Sequence, residues 1–209
     1  MARRDPPIDP DGYYHVSSRG TYGRVLFNDR DEHELFLHLY ERTAADFGWR
    51  TLAWTLLFNH HHFLVKLSDG GLSKGMRVLH SCFSRRMHAK YDQTGKGHLV
   101  RHGFYAGALS STESVLAVAR YIDLNAPRAG LCERPEDWAW SSYQATLGLV
   151  HPRAFHQPTE LLRLIGKTPR TGRSAYRRFV VAGLGSDGLR SSEQGYETAT
   201  AARVVESAA

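Results

Sequence analysis

The stretch WRTLAWTLLFNHHHFLVKLS, residues 49–68, constrains the fold of this chain more than any other segment. It contains two runs rich in strand-forming residues, and a tight turn fits between them at Phe58-Asn59. A turn this short joins antiparallel strands, because parallel strands need a long crossover connection. We therefore expect a β-hairpin in the middle of the sheet-forming region.

Strand and helix patterns alternate around this hairpin. The predicted elements are, in chain order, a strand at 13–20, a helix between Asn28 and Gly48, the hairpin, a helix at 71–93 with a stripe of Met76, Leu79, Phe83 and Met87, a strand at 104–110, and a helix from Ser111 or Thr112 to about Asn125. We expect a capping box at the start of this last helix, with Glu113 as its acid. The order predicts an α+β fold, a ferredoxin-like split βαββαβ sandwich with an antiparallel sheet and added C-terminal helices.

The chain is predicted to divide into four segments. Residues 1–12 form an N-terminal arm, 13–147 the main domain, 148–185 a C-terminal helical extension and 186–209 a disordered tail rich in Gly, Ser, Glu, Thr and Ala. Residues 134–148, which include Trp138 and Trp140, are expected to form a short helix at the end of the main domain.

Composition narrows the class of protein without fixing it. Lys and Arg total 27 against 21 Asp and Glu, a formal net charge of +6, which is compatible with a nucleic-acid partner and equally with an ordinary basic protein. The 2 cysteines are too few for a disulfide scaffold and suit a reducing cytoplasm. No apolar run approaches the roughly 18–20 residues of a spanning helix, so we expect a cytoplasmic protein without a membrane partner.

Three histidines interrupt the apolar second strand of the hairpin. Side chains alternate along a strand, so His60 and His62 face one way and His61 faces the other. Two imidazoles on one face are suitably placed to bind one divalent ion. The alternative is that they are only hydrogen-bonded histidines at a sheet edge.

A second pair of polar side chains shares one face of the last predicted helix. Tyr121 and Asn125 are four residues apart, the spacing that aligns side chains on a helix. A phenol beside a cation is a plausible nucleophile, and an amide oxygen is a suitable third ligand for Mg²⁺ or Mn²⁺. The alternative is a tyrosine that only packs on the sheet.

These motifs resemble those of a known family. NHHHFLV, ARYIDLNAPRAGL and WAWSSYQA resemble, in order, the histidine strand, the tyrosine helix and the following WSSYRA motif of HUH single-tyrosine transposases. The similarity is closest to the REP-associated tyrosine transposases and covers roughly residues 13–147. The main domain would then be an HUH transposase-like catalytic domain. His61 departs from the family, which usually has a hydrophobic residue there.

The resemblance implies a role for each matching residue. His60 and His62 match the two metal-binding histidines, Tyr121 the nucleophile, and Asn125 a polar third ligand for Mg²⁺ or Mn²⁺. The implied reaction is cleavage of single-stranded DNA at a hairpin-flanked site, with a 5′-phosphotyrosine intermediate and strand transfer, as in DNA transposition or REP-element processing.

Basic residues within the matched region are candidates for DNA contacts. They are Arg19, Arg24, Lys74, Arg77, Arg85, Arg86 and Arg101. The expected partner is single-stranded or hairpin DNA, bound by a monomer or a homodimer. Two other functions stay open: a catalytically idle hairpin-DNA-binding regulator, and an RNA-binding module, for which the chain lacks the expected aromatic strand signature.

Overall fold

The computed structural model describes residues 9, 11–68, 71–92, 97–101 and 103–184, and in these residues the predicted α+β fold is confirmed. The four strands are β1 (Tyr13–Arg19), β2 (Arg50–Leu57), β3 (His60–Lys66) and β4 (Tyr105–Leu109). They form one antiparallel sheet in the order β2-β3-β1-β4, so β1 and β3 are its central strands. The hairpin is formed by β2 and β3, with its turn at Phe58-Asn59 as expected.

The described part of the chain contains helices on both sides of this sheet. In chain order they are α1 (Arg30–Asp46), α2 (Leu72–Lys90), α3 (Thr112–Asp123), α4 (Asn125–Arg128), α5 (Tyr143–Leu147), α6 (Pro158–Arg163) and α7 (Pro169–Val181). Asp29 caps α1 by accepting a hydrogen bond from the backbone N–H of Glu32 at 2.9 Å. The capping box of α3 is built by Ser111 and Ser114, so the expected role of Glu113 in it was wrong.

Alternation along the strands gives the sheet two buried faces. One face packs against α1 and α2, and its core includes the predicted stripe Met76, Leu79, Phe83 and Met87. The other face packs against α3, α6 and α7 around residues such as Leu64, Ile122 and Tyr176. Because α6 and α7 share this second core, the described part of the predicted extension is joined to the sheet by apolar contacts.

The segment around the two tryptophans differs from the single helix expected there. Residues Pro135–Asp137 form a 3-10 turn, residues 139–140 form a second turn, and Ser141 bridges Thr55 of β2 before α5 begins. The Trp140 carbonyl accepts a hydrogen bond from the Leu56 N–H at 2.9 Å, and the Ser142 N–H donates to the Trp54 carbonyl at 2.9 Å. The segment is not one helix because it pairs with the free edge of β2, a long-range contact that local patterns do not reveal.

Two predicted segments lie almost wholly outside the described residues. The N-terminal arm (1–12) is described only at residues 9, 11 and 12, and the tail at 186–209 is not described. Among the described residues, no helix combines the length and the apolar character needed to cross a membrane.

Candidate active site

The three adjacent histidines of β3 divide between the two faces of the sheet, as strand alternation predicts. His60 and His62 face α3, with their ring centroids 5.0 Å apart and their planes nearly perpendicular. His61 faces α2 instead, where its Nε2 lies 3.3 Å from the Nε2 of His80. All three side chains are buried. The pair His60 and His62 therefore forms one site, and His61 belongs to another.

Each histidine of the pair is oriented by a partner at its Nδ1 atom. The Nδ1–H of His60 donates to the Asn59 side-chain oxygen at 2.7 Å. Nδ1 of His62 lies 2.9 Å from Nε2 of His15 on β1, and the two rings are stacked with centroids 5.1 Å apart. Partners of this kind fix the ring orientation and leave Nε2 facing the site. Sequence analysis did not identify His15.

Burial favours the neutral form of His62 and of His15. It lowers the pKa of His62 well below its usual value, and His60 and His15 nearby lower it further. Burial alone lowers the pKa of His15 to about 4. The Nε2 atom of His62 is buried and, among the described residues, has no hydrogen-bond partner. In the tautomer in which Nδ1 of His62 donates to His15, its Nε2 has a free lone pair, which is the form of imidazole that binds a metal ion.

The helix α3 brings Tyr121 onto the same face of the sheet. The Tyr121 ring meets the His62 ring edge-on with centroids 5.5 Å apart, and it meets the His15 ring at 5.7 Å. Tyr105 of β4 also contacts His15, at 5.6 Å. One chain thus places its own tyrosine against its own histidine pair, and Tyr105 is a second tyrosine at the edge of the same site.

Asn125 approaches His60, whereas the Tyr121 ring contacts His62. The helix α3 ends at Asp123, yet α4 begins at Asn125 after only one intervening residue. The Asn125 side chain is buried, and its Oδ1 lies 3.4 Å from Nε2 of His60. The structure therefore places Tyr121 against His62 and Asn125 against His60, and their joint role at one site stays a prediction.

The atoms present are suited to a divalent cation. Nδ1 of His60 donates to Asn59, so Nε2 is the ring nitrogen that faces the site, and it lies 3.4 Å from Oδ1 of Asn125. Together with the unused Nε2 of His62, this gives an N₂O donor set, which imidazole- and oxygen-binding metal ions accept. Within the described ranges no cluster of three or more His, Cys, Asp or Glu residues could hold an ion, so Asn125 or the substrate would have to complete the set.

A buried carboxyl group anchors the helix that carries Tyr121. Asp123 accepts hydrogen bonds from the Tyr176 hydroxyl of α7 at 2.6 Å and from the Ser142 hydroxyl at 3.3 Å. Burial raises the pKa of Asp123 to about 7, although both hydrogen bonds oppose the shift. Sequence analysis missed this residue, because its partners lie far away along the chain.

The basic residues predicted to contact DNA are not gathered at this site. Arg19 ends β1 directly opposite His60 and lies on the same face. The remaining six are exposed elsewhere on the described surface: Arg24, Lys74, Arg77, Arg85, Arg86 and Arg101. Two of these, Arg77 and Arg101, line a cavity on the α2 side of the sheet. Only Arg19 is therefore placed next to the histidine pair.

Comparisons with known proteins identify the family and agree with the fold. The model of a family described as IS200-like transposases matches residues 10–125, more than half of the chain. A REP-associated tyrosine transposase, solved bound to a REP hairpin, has the same fold with a TM-score of 0.62 at 17% identity, over 76% of this chain and 90% of that one. A tRNA(His) guanylyltransferase from Saccharomyces cerevisiae aligns with a TM-score of 0.42 at 13% identity, over 92% and 86% of the two chains. None of the curated proteins searched matches the sequence.

Proposed function

Because this chain belongs to the family of IS200-like transposases, which process DNA, we propose that it cuts and rejoins single-stranded DNA at hairpin-flanked sites through Tyr121. The observation that carries the proposal is the contact between the Tyr121 ring and the His62 ring, 5.5 Å apart. It brings the candidate nucleophile to the candidate ligand pair within one chain.

The proposed reaction is a transesterification at phosphorus. The phenol oxygen of Tyr121 loses its proton and forms a bond to the scissile phosphorus. The bond from phosphorus to the 3′ oxygen breaks, and the 3′ oxygen takes up a proton, so that one phosphodiester bond replaces another and no net proton is released. The products are a 5′-phosphotyrosine and a free 3′-OH. Attack by another 3′-OH reverses the step and releases Tyr121, so strand transfer needs no external energy source.

The buried residues around Tyr121 would hold the phosphate and the tyrosine in place. His60, His62 and Asn125 are the residues that would hold a divalent ion, Mg²⁺ or Mn²⁺. When bound, such an ion supplies positive charge to a non-bridging phosphate oxygen and to the phenolate. His15 and Asn59 keep the two imidazoles in the orientation that this role requires, and Arg19 adds a fixed positive charge beside them.

The proposal is tested by replacing the hydroxyl alone. Tyr121→Phe keeps the ring contacts with His62 and His15, so the fold and DNA binding should survive while the covalent adduct on end-labelled, hairpin-bearing single-stranded DNA disappears. The matched control is Tyr105→Phe, which removes a hydroxyl from the other tyrosine beside His15 and should leave adduct formation intact.

If Tyr121→Phe still forms the adduct and Tyr105→Phe does not, Tyr105 is the nucleophile and the proposal is wrong. Wild-type protein that binds the hairpin tightly but forms no adduct with Mg²⁺ or Mn²⁺ would identify an idle hairpin-binding protein instead.

A further inference from the structure

A cavity of about 380 Å³ lies between α2 and the segment that leads into β4. It opens on the face of the sheet opposite Tyr121, because His80, one of its lining residues, contacts His61 and not the histidine pair. Its volume falls within the range of about 300–1,000 Å³ typical of small-molecule sites. The proposed cleavage reaction makes no use of it.

The lining of this cavity has the chemistry of a site for an anion. Its ten residues comprise four basic or imidazole side chains, three serines and three others, and none is acidic: Arg77, His80, His98, Arg101, Ser73, Ser81, Ser84, Val100, Gly103 and Phe104. Guanidinium and hydroxyl groups are the usual donors to phosphate oxygens. Within the described part of the chain neither Arg77 nor Arg101 has an ion-pair partner, so both charges are available to a ligand.

The cavity also has an apolar wall. Val100 is buried, and Phe104 is half-buried with its ring packed on the α1–α2 core. An aromatic ring beside guanidinium groups suits a flat base attached to a phosphate better than it suits a bare inorganic anion. The lining therefore matches a nucleotide unit.

The backbone connects this cavity to the candidate active site. The Arg101 N–H donates to the Arg19 carbonyl at 2.8 Å, and Val100 pairs with Gly20. Arg19 in turn lies opposite His60 in the sheet. The cavity and the histidine pair consequently meet at the same end of the sheet, on opposite faces, with Arg19 and Arg101 adjacent at the boundary.

We propose that this cavity binds a nucleotide of the unpaired flank of the DNA strand, which bends round the end of the sheet between Arg101 and Arg19. The inference rests on the proposed function, because it takes the strand held at Tyr121 as its ligand. It adds a second contact point that would hold the flank while the scissile phosphate is at Tyr121.

The test measures binding without chemistry. Tyr121→Phe protein in EDTA is titrated into a fluorescently labelled DNA hairpin with a single-stranded flank, at several salt concentrations. The substitutions Arg77→Gln and Arg101→Gln are each made separately in this protein, and each should weaken DNA binding about tenfold. Each should also reduce the steepness of the plot of log association constant against log salt concentration by about 0.7–0.9, the value of one lost phosphate contact. Both residues are exposed, so thermal melting should be unchanged.

The matched control is Arg170→Gln, which removes one exposed charge from α7, on the other face of the sheet. It should change neither the affinity nor the slope. With a hairpin stem that has no single-stranded flank, Arg77→Gln should no longer affect binding. Free dTMP should displace the labelled strand at a lower concentration than inorganic phosphate does.

Three results would overturn the proposal: affinities of the Arg77 and Arg101 variants equal to that of the Arg170 variant, an Arg77 effect that persists without the flank, or equal displacement by phosphate and dTMP.

Adduct formation by the enzyme with Tyr121 intact is measured separately. If it fails while the salt slopes change as expected, the proposed cleavage is wrong and the cavity site stands. If it succeeds while the slopes do not change, the cavity proposal alone falls.

Discussion

Three adjacent histidines lie in two different surroundings because a strand turns successive side chains to opposite faces. His60 and His62 share the face of Tyr121, and each is oriented through its Nδ1 atom. His61 lies among the aromatic residues between the sheet and α2, where its contacts include His80 and the apolar rings of Phe36 and Phe63. Adjacent positions of identical chemistry should therefore respond differently to substitution.

We expect His60→Ala and His62→Ala to reduce DNA cleavage by at least about 100-fold, because each removes a nitrogen from the group that would hold the ion. His61→Leu should leave cleavage unchanged and cost about 1 kcal/mol or less, since an apolar side chain suits that face. Adduct formation and chemical unfolding of the three variants check this. Equal loss of cleavage at all three positions would contradict the division between faces.

The spacing of residues along single strands and helices was sufficient to predict part of the candidate site. Strand alternation identified His60 and His62, and the four-residue helical spacing identified Tyr121 and Asn125. His15 could not be found in this way: the pattern of β1 places it on a face, but its contact with His62 depends on the register between β1 and β3, where it pairs with Leu64. Register is a property of the folded sheet, not of either strand.

At the scale of elements, the position of α3 decides whether Tyr121 reaches the histidines. The helix is fastened at its C-terminal end by Asp123, whose carboxyl group joins it to Tyr176 of α7 and to Ser142 before α5. These links connect the helix that carries Tyr121 to the C-terminal part of the chain. The sequence predicted α3 and a helical C-terminal extension, but not the buried polar link between them.

The raised pKa of Asp123 predicts a stability that falls as pH rises. Below about pH 4 the carboxyl group is protonated in both the folded and unfolded states; between about pH 4 and 7 only the unfolded state ionises, which favours unfolding; above about 7 both ionise. Asp123→Asn removes this ionisation and keeps an acceptor for Tyr176. Between pH 5 and 8 the free energy of unfolding of the wild type should therefore fall by about 2 kcal/mol relative to that of the variant.

Urea unfolding at both pH values measures this difference. Asp137→Asn, which changes an exposed acid in the turn before Trp138, is the control and should follow the wild type. If Asp123→Asn shows the same pH dependence as the wild type, Asp123 does not titrate in the folded protein as described.

At the scale of the whole molecule, the sheet separates two surfaces of different chemistry. The face with Tyr121 contains the buried imidazoles of His60 and His62, and the α2 side contains the cavity that Arg77 lines. A DNA strand that contacts both must bend round the end of the sheet, which a paired duplex does at a considerable energetic cost.

We accordingly expect cleavage of single-stranded DNA that carries a hairpin and little cleavage of the same sequence as a perfect duplex. A denaturing gel of end-labelled hairpin and duplex, incubated with the protein and Mg²⁺ at matched concentrations, measures the covalent adduct on each. Comparable adduct on the duplex would contradict the proposed dependence on an unpaired strand.

The central claim, that Tyr121 is the residue joined to DNA, is tested most directly by locating the adduct. Trypsin cuts after Arg120 and Arg128, so Tyr121 falls in the peptide YIDLNAPR and Tyr105 in the preceding peptide, residues 102–120. After reaction with hairpin DNA, nuclease trimming and mass spectrometry, we expect the mass of a nucleotide 5′-phosphate on Tyr121. The same mass on Tyr105, or on any other residue with Tyr121 unmodified, would contradict the account.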